Sequence, residues 1–158
     1  MKKIKLWPWA IAAGVFALDR IAKILAVNIP EEGTVLIPGV VGLRYTENRG
    51  IAFSLLSGQP WLLGILSLAI IVAAFLFLRK KPLHAWTLTG LMMMLGGAAG
   101  NMIDRFVPGY VTDMIEVLFV KFAIFNVGDM FLCVGCALVI LRLLFSRDMK
   151  KEEHPERT

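Results

Sequence analysis

Four apolar segments, each close to the length that crosses a lipid bilayer, dominate this chain of 158 residues. A helix needs about 20 mostly apolar residues to cross the hydrocarbon core. Hydrophobic residues make up 58% of the sequence, whereas soluble domains usually lie near about 45–50%. We therefore predict an all-α membrane protein with four transmembrane helices. The predicted spans are residues 7–27, 61–78, 83–103 and 127–145.

The two longer connections differ in composition from the spans. Segment 30–58 contains TVLI and LRYT between Gly and Pro residues, which predicts a small β-rich lobe. In segment 104–126, VPGY indicates a turn, followed by a short strand or an amphipathic helix. Because no internal repeat is visible, residues 1–158 are predicted to form one membrane domain. Its tail, about residues 146–158, is predicted to be disordered.

The net charge of +5 is distributed in a way that indicates membrane topology. Lys and Arg cluster before the first span, in the RKKP turn between the second and third spans, and after the fourth. Cytoplasmic loops carry this excess of basic residues. We therefore expect both termini in the cytoplasm and the β-rich lobe on the outer, periplasmic or extracellular, face. No small-x-small cleavage site follows the first segment, so we expect a retained helix and not a signal peptide.

Cys133 and Cys136 lie three residues apart within the predicted fourth span. This spacing occurs in redox and metal sites, but no other Cys and no nearby His completes a ligand set. We therefore expect both cysteines to be small packing residues.

Polar side chains collect at the outer ends of the predicted spans and in the connections beside them. Ionisable residues in membrane segments are costly and mark functional sites by default. Two close carboxyl groups in a low dielectric share one proton, so that one can activate water while the other donates to a carbonyl oxygen. We predict that Asp113 and Asp129 form such a pair. The whole set is Asp19, Arg20, Lys23, Asn48, Arg49, Asn101, Asp104, Arg105, Asp113, Asn126 and Asp129.

Structural roles are open for several of these residues. Asp129 alone could cap the fourth helix and complement its dipole. Asp104 and Arg105 could form an interfacial ion pair. Asp19 and Lys23 have the i, i+4 spacing of a salt bridge within one helix.

Three other functions compete with paired carboxylates. A small proton- or cation-coupled transporter would use the same acids, but would place polar groups deep in several spans. A structural membrane subunit would leave the polar cluster without a purpose. A serine-type peptidase would combine Ser54 or Ser57 with Lys23 or Lys121, although no spacing enforces such a pair.

Five motifs in this order make the sequence resemble the signal peptidase II family, the bacterial lipoprotein signal peptidases. They cover nearly the whole chain, and one departure is visible: Gly128 stands where the family usually has Ala. Gly at a helix start is sterically mild, so we expect a local effect only. The motifs are DRIAK (19–23), NRGIAF (48–53), GGAAGNMIDR (96–105), VTDMI (111–115) and FNVGD (125–129).

The resemblance implies an aspartic endopeptidase of the bacterial cytoplasmic (inner) membrane. Such enzymes cut prolipoproteins just before a cysteine that carries a diacylglyceryl group, and the cyclic peptide globomycin inhibits them. The catalytic dyad would fall on Asp113 and Asp129, with no metal or cofactor. We also expect contacts with membrane lipids and a monomer. Substrate-binding or dyad-supporting positions would be Asn48, Asn101, Asp104, Arg105 and Asn126, and structural positions would be Asp19, Lys23 and Gly50.

Overall fold

The computed structural model describes residues 6–50, 58–80 and 83–153. It shows four helices and a small three-stranded antiparallel sheet, so the protein is mostly helical and not purely α. The serine-peptidase alternative is not tested, because Ser54 and Ser57 lie outside the described residues. The elements are α1 (Trp7–Ala26), β1 (Thr34–Ile37), β2 (Val41–Asn48), α2 (Pro60–Lys80), α3 (Ala85–Phe106), β3 (Val111–Val117) and α4 (Val127–Glu153).

Two helices in the described part of the chain are long and apolar enough to cross a membrane by length and composition. They are the stretches Pro60–Leu78 of α2 and Val127–Phe145 of α4. Helix α1 contains charged residues but places them inward: Asp19 and Lys23 are buried, whereas Leu18 and Ile21 are more than half exposed. This is the reverse of a soluble protein, and it is the arrangement expected of a helix whose outer surface contacts lipid.

Helix α3 lies between the other helices and packs against α1, α2 and α4. Glycines permit its close approach to α4: a Cβ atom on Gly90 would lie only 2.5 Å from the carbonyl oxygen of Gly135. Small residues at such crossings are the usual device for tight helix packing in membranes. The GGAAG run belongs to the same helix, where a Cβ atom on Gly96 would meet the backbone of α1 at Ala12.

The sheet has the strand order β1-β2-β3, with both pairings antiparallel. A tight turn joins β1 to β2, because the Val40 N–H donates to the Ile37 carbonyl at 3.0 Å and Gly39 has φ 69°. Positive φ at the third turn position favours Gly. Strand β3 comes from the connection after α3, so the β-rich lobe is not confined to residues 30–58. The VPGY turn is present, with Gly109 at φ 82°.

Helix α4 begins at Val127 and continues to Glu153. It is therefore helical where the sequence analysis expected the start of a disordered tail at about residue 146, and residues 154–158 lie outside the described part. Cys133 and Cys136 are exposed on its surface as free thiols. They were expected to be small packing residues, but α4 exposes both side chains on its surface.

Candidate active site

Strand pairing places Asp113 beside Asn48. In the β2–β3 register Asn48 lies opposite Val111 and Thr46 opposite Asp113, so that Asn48 and Asp113 are diagonal neighbours on one face of the sheet. The Asn48 side-chain amide donates to Asp113 Oδ2 at 3.0 Å. Its oxygen accepts the Gly50 N–H at 3.0 Å, a short turn typical of Asn. Gly50 thus orients the amide that Asn48 offers to Asp113.

The chain returns to β3 immediately before α4, and this return brings Asn126 to Asp113. Phe125 pairs with Ile115 through two backbone hydrogen bonds, Phe125 N–H to Ile115 O at 3.1 Å and Ile115 N–H to Phe125 O at 2.8 Å. Asn126 is the next residue and is fully buried. Its Nδ2 donates to Asp113 Oδ1 at 2.6 Å. Both oxygens of Asp113 therefore accept an amide hydrogen.

Asn126 also starts helix α4 and binds Asp129 there. The Asp129 N–H donates to Asn126 Oδ1 at 2.9 Å, and the Asn126 N–H donates to Asp129 Oδ2 at 3.2 Å. This reciprocal arrangement is a capping box, which satisfies N–H groups that the helix leaves free. Asp129 therefore does contribute to the cap, as the structural alternative expected. Asp129 is also linked to Asp113 through Asn126, which donates to a carboxyl oxygen of each.

Asn101 of α3 completes the surroundings of Asp129. Its Nδ2 donates to Asp129 Oδ1 at 2.8 Å, and its Oδ1 accepts Asn126 Nδ2 at 3.1 Å. Each of the four oxygens of Asp113 and Asp129 thus accepts at least one N–H. All of these donors are neutral amides, which hold the carboxyl groups in place without neutralising them.

A buried network of ion pairs lies behind Asn101. The Lys23 ammonium is 2.8 Å from Asp19 Oδ2 and 2.8 Å from Asp104 Oδ2, so the predicted salt bridge within α1 is present as part of a larger network. Asp104 also pairs with Arg20. Asp19 Oδ1 accepts the Gly128 N–H at 2.8 Å, which ties α1 to the first turn of α4.

Asp104 does not form the possible ion pair with Arg105 and instead pairs with Lys23 and Arg20. Asp104 turns to α1, whereas Arg105 donates through Nη1 to the Asn101 carbonyl at 3.3 Å. The Arg105 charge interacts with those of Asp129, Asp113 and Asp104. Its buried Nε has no hydrogen-bond partner within the described residues. Arg105 therefore brings positive charge near the aspartates and has a buried donor without a partner among the described residues.

Arg49 is the member of the predicted polar set that the structure places elsewhere. It is exposed, pairs with Glu47 at 2.9 Å, and lies over the Tyr110 ring at 5.5 Å. The described residues contain no cluster of three or more His, Cys, Asp or Glu that could hold a metal ion.

Burial raises the pKa of Asp113 from its ordinary value of 3.8 to about 6. The hydrogen bonds from Asn48 and Asn126 work against this rise, while the charge of Asp129 adds to it. A carboxyl group with such a pKa can exist in either protonation state near neutral pH, as an acid or base in catalysis requires. Asp113 therefore has a pKa suited to proton transfer, and Asn126 connects it to Asp129.

Sequence reasoning did not find the roles of Arg20, Gly100 and Gly128. Arg20 was part of the polar set, but its partner Asp104 lies 84 positions away. Gly100 makes room for Asp19, since a Cβ atom there would collide with the Asp19 carboxylate. Gly128 is tightly surrounded, with Asn126 Oδ1 and the Gly97 carbonyl each 3.0 Å from where a Cβ atom would stand. The small-residue run GGAAG was the only available signal for this crowding.

Comparison with known proteins finds similar sequences over most of the chain. Residues 11–145 match the family model described as signal peptidase (SPase) II. The chain is 40% identical over 135 residues to the lipoprotein signal peptidase of Streptococcus pyogenes serotype M5 (strain Manfredo), covering 84% of this chain and 89% of that protein. The enzyme of serotype M18 (strain MGAS8232) matches equally well.

Two solved structures described as bacterial membrane enzymes share the fold. The first, at 2.3 Å resolution, gives a TM-score of 0.83 at 26% identity and covers 96% of this chain and 93% of its own. The second, at 1.9 Å resolution, gives a TM-score of 0.79 at 29% identity and covers 87% and 92%.

Fold and site together define a helical membrane enzyme in which one buried asparagine contacts two carboxyl groups. Because the family model and the curated relatives cover most of its length, the chain belongs to the signal peptidase II family. Enzymes of this family are aspartic proteases, and the activity is removal of the signal peptide from prolipoproteins.

Proposed function

We propose that Asp113 and Asp129 are the catalytic dyad of an endopeptidase that cleaves diacylglyceryl-modified prolipoproteins just before the lipidated cysteine. The observation that carries this proposal is Asn126, which is fully buried and contacts both carboxyl groups. The two acids come from β3 and from the start of α4. Asn126 links them, because its side-chain amide donates to Asp113 and its backbone N–H donates to Asp129.

The dyad works by water activation. The ionised carboxyl takes a proton from a bound water molecule, and the resulting hydroxide attacks the carbonyl carbon of the scissile peptide bond. The protonated carboxyl donates to the carbonyl oxygen as the tetrahedral intermediate forms. Collapse of the intermediate breaks the C–N bond, and the amine leaves with a proton from the dyad. The shared proton belongs to the pair and not to one residue.

The remaining site residues have supporting roles in this scheme. Asn48, Asn101 and Asn126 orient the carboxyl groups through the hydrogen bonds described above. Arg105, whose charge interacts with those of both aspartates, binds substrate near the dyad in this proposal, and Asp104 supports the site from the ion-pair network. Asp19, Lys23 and Gly50 have structural roles.

The membrane arrangement that fits this chemistry has all four helices spanning the inner membrane, as a monomer surrounded by lipid. Both termini face the cytoplasm and the dyad lies near the outer face. Support comes from the inward placement of charge on α1 and from the basic residues near the termini and the α2–α3 turn. At that depth the acyl chains of the substrate can stay in the bilayer while its peptide bond reaches the aspartates.

A transporter is the competing function for the acidic cluster. It would place ionisable groups along the interior of several spans. The described stretch Pro60–Leu78 contains no charged residue, and the charged residues of α1 and α3 gather in the C-terminal half of each helix. This distribution favours a site at one membrane surface.

The test is cleavage of a purified precursor by the enzyme reconstituted in detergent or lipid. We expect the diacylglyceryl-modified precursor to be cut and the unmodified one to be cut poorly. Asp113→Asn and Asp129→Asn should each abolish cleavage in a folded protein, and globomycin should inhibit the wild type. Glu116→Gln is the matched control, because it makes the same change on β3 at a half-exposed surface ion pair with Arg44. Normal processing by either aspartate variant would remove the proposal.

A further inference from the structure

Lys23 makes three close contacts in the buried network. Its Nζ lies 2.7 Å from Asn101 Oδ1 and 2.8 Å from one oxygen each of Asp19 and Asp104. An ammonium group has three donors and no acceptor, so all three are directed at named oxygens. The side chain is 1% exposed, a costly position for a charge that serves only as a tether.

The contact with Asn101 determines which end of that amide faces the dyad. Because Lys23 can only donate, the Asn101 oxygen must face it. The Asn101 NH₂ group is then left to face Asp129 Oδ1, where it donates at 2.8 Å. With the amide reversed, its NH₂ would oppose the ammonium and its oxygen would oppose the carboxylate. Lys23 therefore fixes the donor that Asp129 receives.

The charges of the network point to one proton on the dyad. In the described part of the chain, three cations face four carboxyl groups, so the network is neutral when one carboxyl is protonated. Asp19 and Asp104 contact cations directly, whereas Asp113 and Asp129 accept hydrogen bonds from neutral amides, so we assign the one proton to the dyad. The cations are Arg20, Lys23 and Arg105, and the carboxyl groups are Asp19, Asp104, Asp113 and Asp129.

Other charged groups near the site do not change this balance. On β2, Glu47 and Arg49 neutralise each other at the surface, and on β3 Glu116 pairs with Arg44. The described stretch Pro60–Leu78 of α2 contributes none.

We propose that Lys23 is a positioning residue for catalysis: it holds the Asn101 amide towards Asp129 and keeps the Asp113/Asp129 pair in its one-proton state. The proposal rests on the proposed function and assigns a catalytic consequence to a residue expected to be structural. The charge of Lys23 also lowers the pKa of Asp113, in the direction that the proposal needs.

The experiment measures how kcat depends on pH for variants of this ion pair. Lys23→Met keeps the length of the side chain and removes its charge. Without that charge the first ionisation of the dyad requires a higher pH, so the acid limb should move up by about 0.5 to 1 unit. We expect kcat to fall at least about tenfold through the lost amide orientation, and KM to stay within about twofold.

Asp19→Asn should shift the acid limb of the pH profile in the opposite direction, which provides a second, independent test. It removes a negative charge and keeps an oxygen for the Gly128 N–H, so the acid limb should move down. The double variant Lys23→Met/Asp19→Asn leaves the net charge unchanged and should return the limb close to the wild-type position. Lys23→Arg should keep the limb near its original pH. Lys121→Met, an exposed lysine outside the network, is the control without a shift.

The outcomes separate this inference from the proposed function. If wild-type enzyme fails to cut the lipid-modified precursor, the proposed function itself is wrong. If it cuts with a clear acid limb but Lys23→Met and Asp19→Asn leave that limb in place, only the role of Lys23 is overturned. A merely structural lysine would lower activity equally at every pH, in step with loss of folded protein measured by thermal unfolding. Where Lys23→Met does not fold, the downward shift in Asp19→Asn decides.

Discussion

Replacing Asn126 with alanine removes a side chain that donates to the Asp113 carboxylate and caps α4 by accepting the Asp129 N–H. Three side-chain hydrogen bonds disappear: those to Asp113 Oδ1 at 2.6 Å and to Asn101 Oδ1 at 3.1 Å, and the one accepted from the Asp129 N–H at 2.9 Å. The backbone of residue 126 can still donate to Asp129. The variant therefore tests the link between the two acids and leaves both acids present.

The expected magnitudes follow from these contacts. A hydrogen bond to a charged group contributes about 1.5–3 kcal/mol, and about 1.4 kcal/mol corresponds to a factor of ten. Loss of the contact to Asp113 should therefore lower kcat by about 10- to 150-fold, with little change in KM. Loss of the N-cap alone costs about 1 kcal/mol of stability, and the buried donors and acceptors left without partners add about 1–3 kcal/mol.

The assay combines single-turnover cleavage of the lipid-modified precursor with thermal unfolding in the same detergent. Asn126→Ser separates the two roles, since serine is also a good N-cap but lacks the NH₂ donors. It should recover stability and stay slow. Asn28→Ala, at an exposed asparagine, is the control and should be near wild type in both. Cleavage by folded Asn126→Ala within twofold of wild type would refute the reasoning.

Three further predictions concern stability. The folded pKa of Asp113, about 6, lies above its ordinary value of 3.8, so its contribution to stability is present below about pH 4 and is lost as pH rises through about 6. Relative to Asp113→Asn, wild type should lose about 3 kcal/mol of unfolding free energy between those limits. A difference between the two proteins that stays constant with pH would contradict this. Asp104→Ala removes a buried partner of Lys23 and Arg20 and should lower the free energy of unfolding by about 3–5 kcal/mol. Glu116→Ala, at a more exposed ion pair, should lower it by less than about 1 kcal/mol. Equal losses in denaturant titrations would show that burial does not determine the strength of these ion pairs. Gly90→Ala should lower the free energy of unfolding by about 1–3 kcal/mol, because the added methyl group would press on α4. Gly14→Ala, with open space around it, should leave that free energy unchanged or raise it by up to about 1 kcal/mol. Equal melting temperatures of the two variants would contradict the close packing.

The helices could be placed from the sequence because length and hydrophobicity are local properties. Helices α2 and α4 begin at Pro60 and Val127, within one residue of the starts of the predicted spans at 61 and 127. The strand β3 was left open between strand and helix. Its pairing with β2 makes it a strand. That pairing joins segments about 70 positions apart, so no local sequence pattern could predict it.

Sequence proximity predicted one ion pair and misled for another. Asp19 and Lys23 lie one turn apart on a helix and do meet. Asp104 and Arg105 are adjacent, but neighbouring residues on a helix point in different directions and do not face each other. Asp104 therefore reaches Arg20 on another helix. A pattern along one chain shows which residues are polar, and only the packing of the helices shows which of them meet.

The orientation of the amides is the part of the site that sequence could not supply. Asn48, Asn101 and Asn126 were identified as supporting residues. Which atom of each faces Asp113 or Asp129 depends on donors from the turn after β2, from α1 and from the backbone of α4. Cys133 and Cys136 show a second limit of sequence-based prediction. Small residues are usually buried in soluble proteins, but the surface of α4 is as apolar as its interior side, so burial could not be read from residue type.

The most direct test of a shared proton is the pH dependence of kcat for the wild-type enzyme on its lipid-modified precursor, from about pH 4 to about pH 9. A dyad active with one proton must lose activity when both carboxyl groups are protonated and again when both are ionised. We expect a bell-shaped profile with both limbs due to Asp113 and Asp129. A profile with a single limb, or one that is flat across this range, would contradict the account.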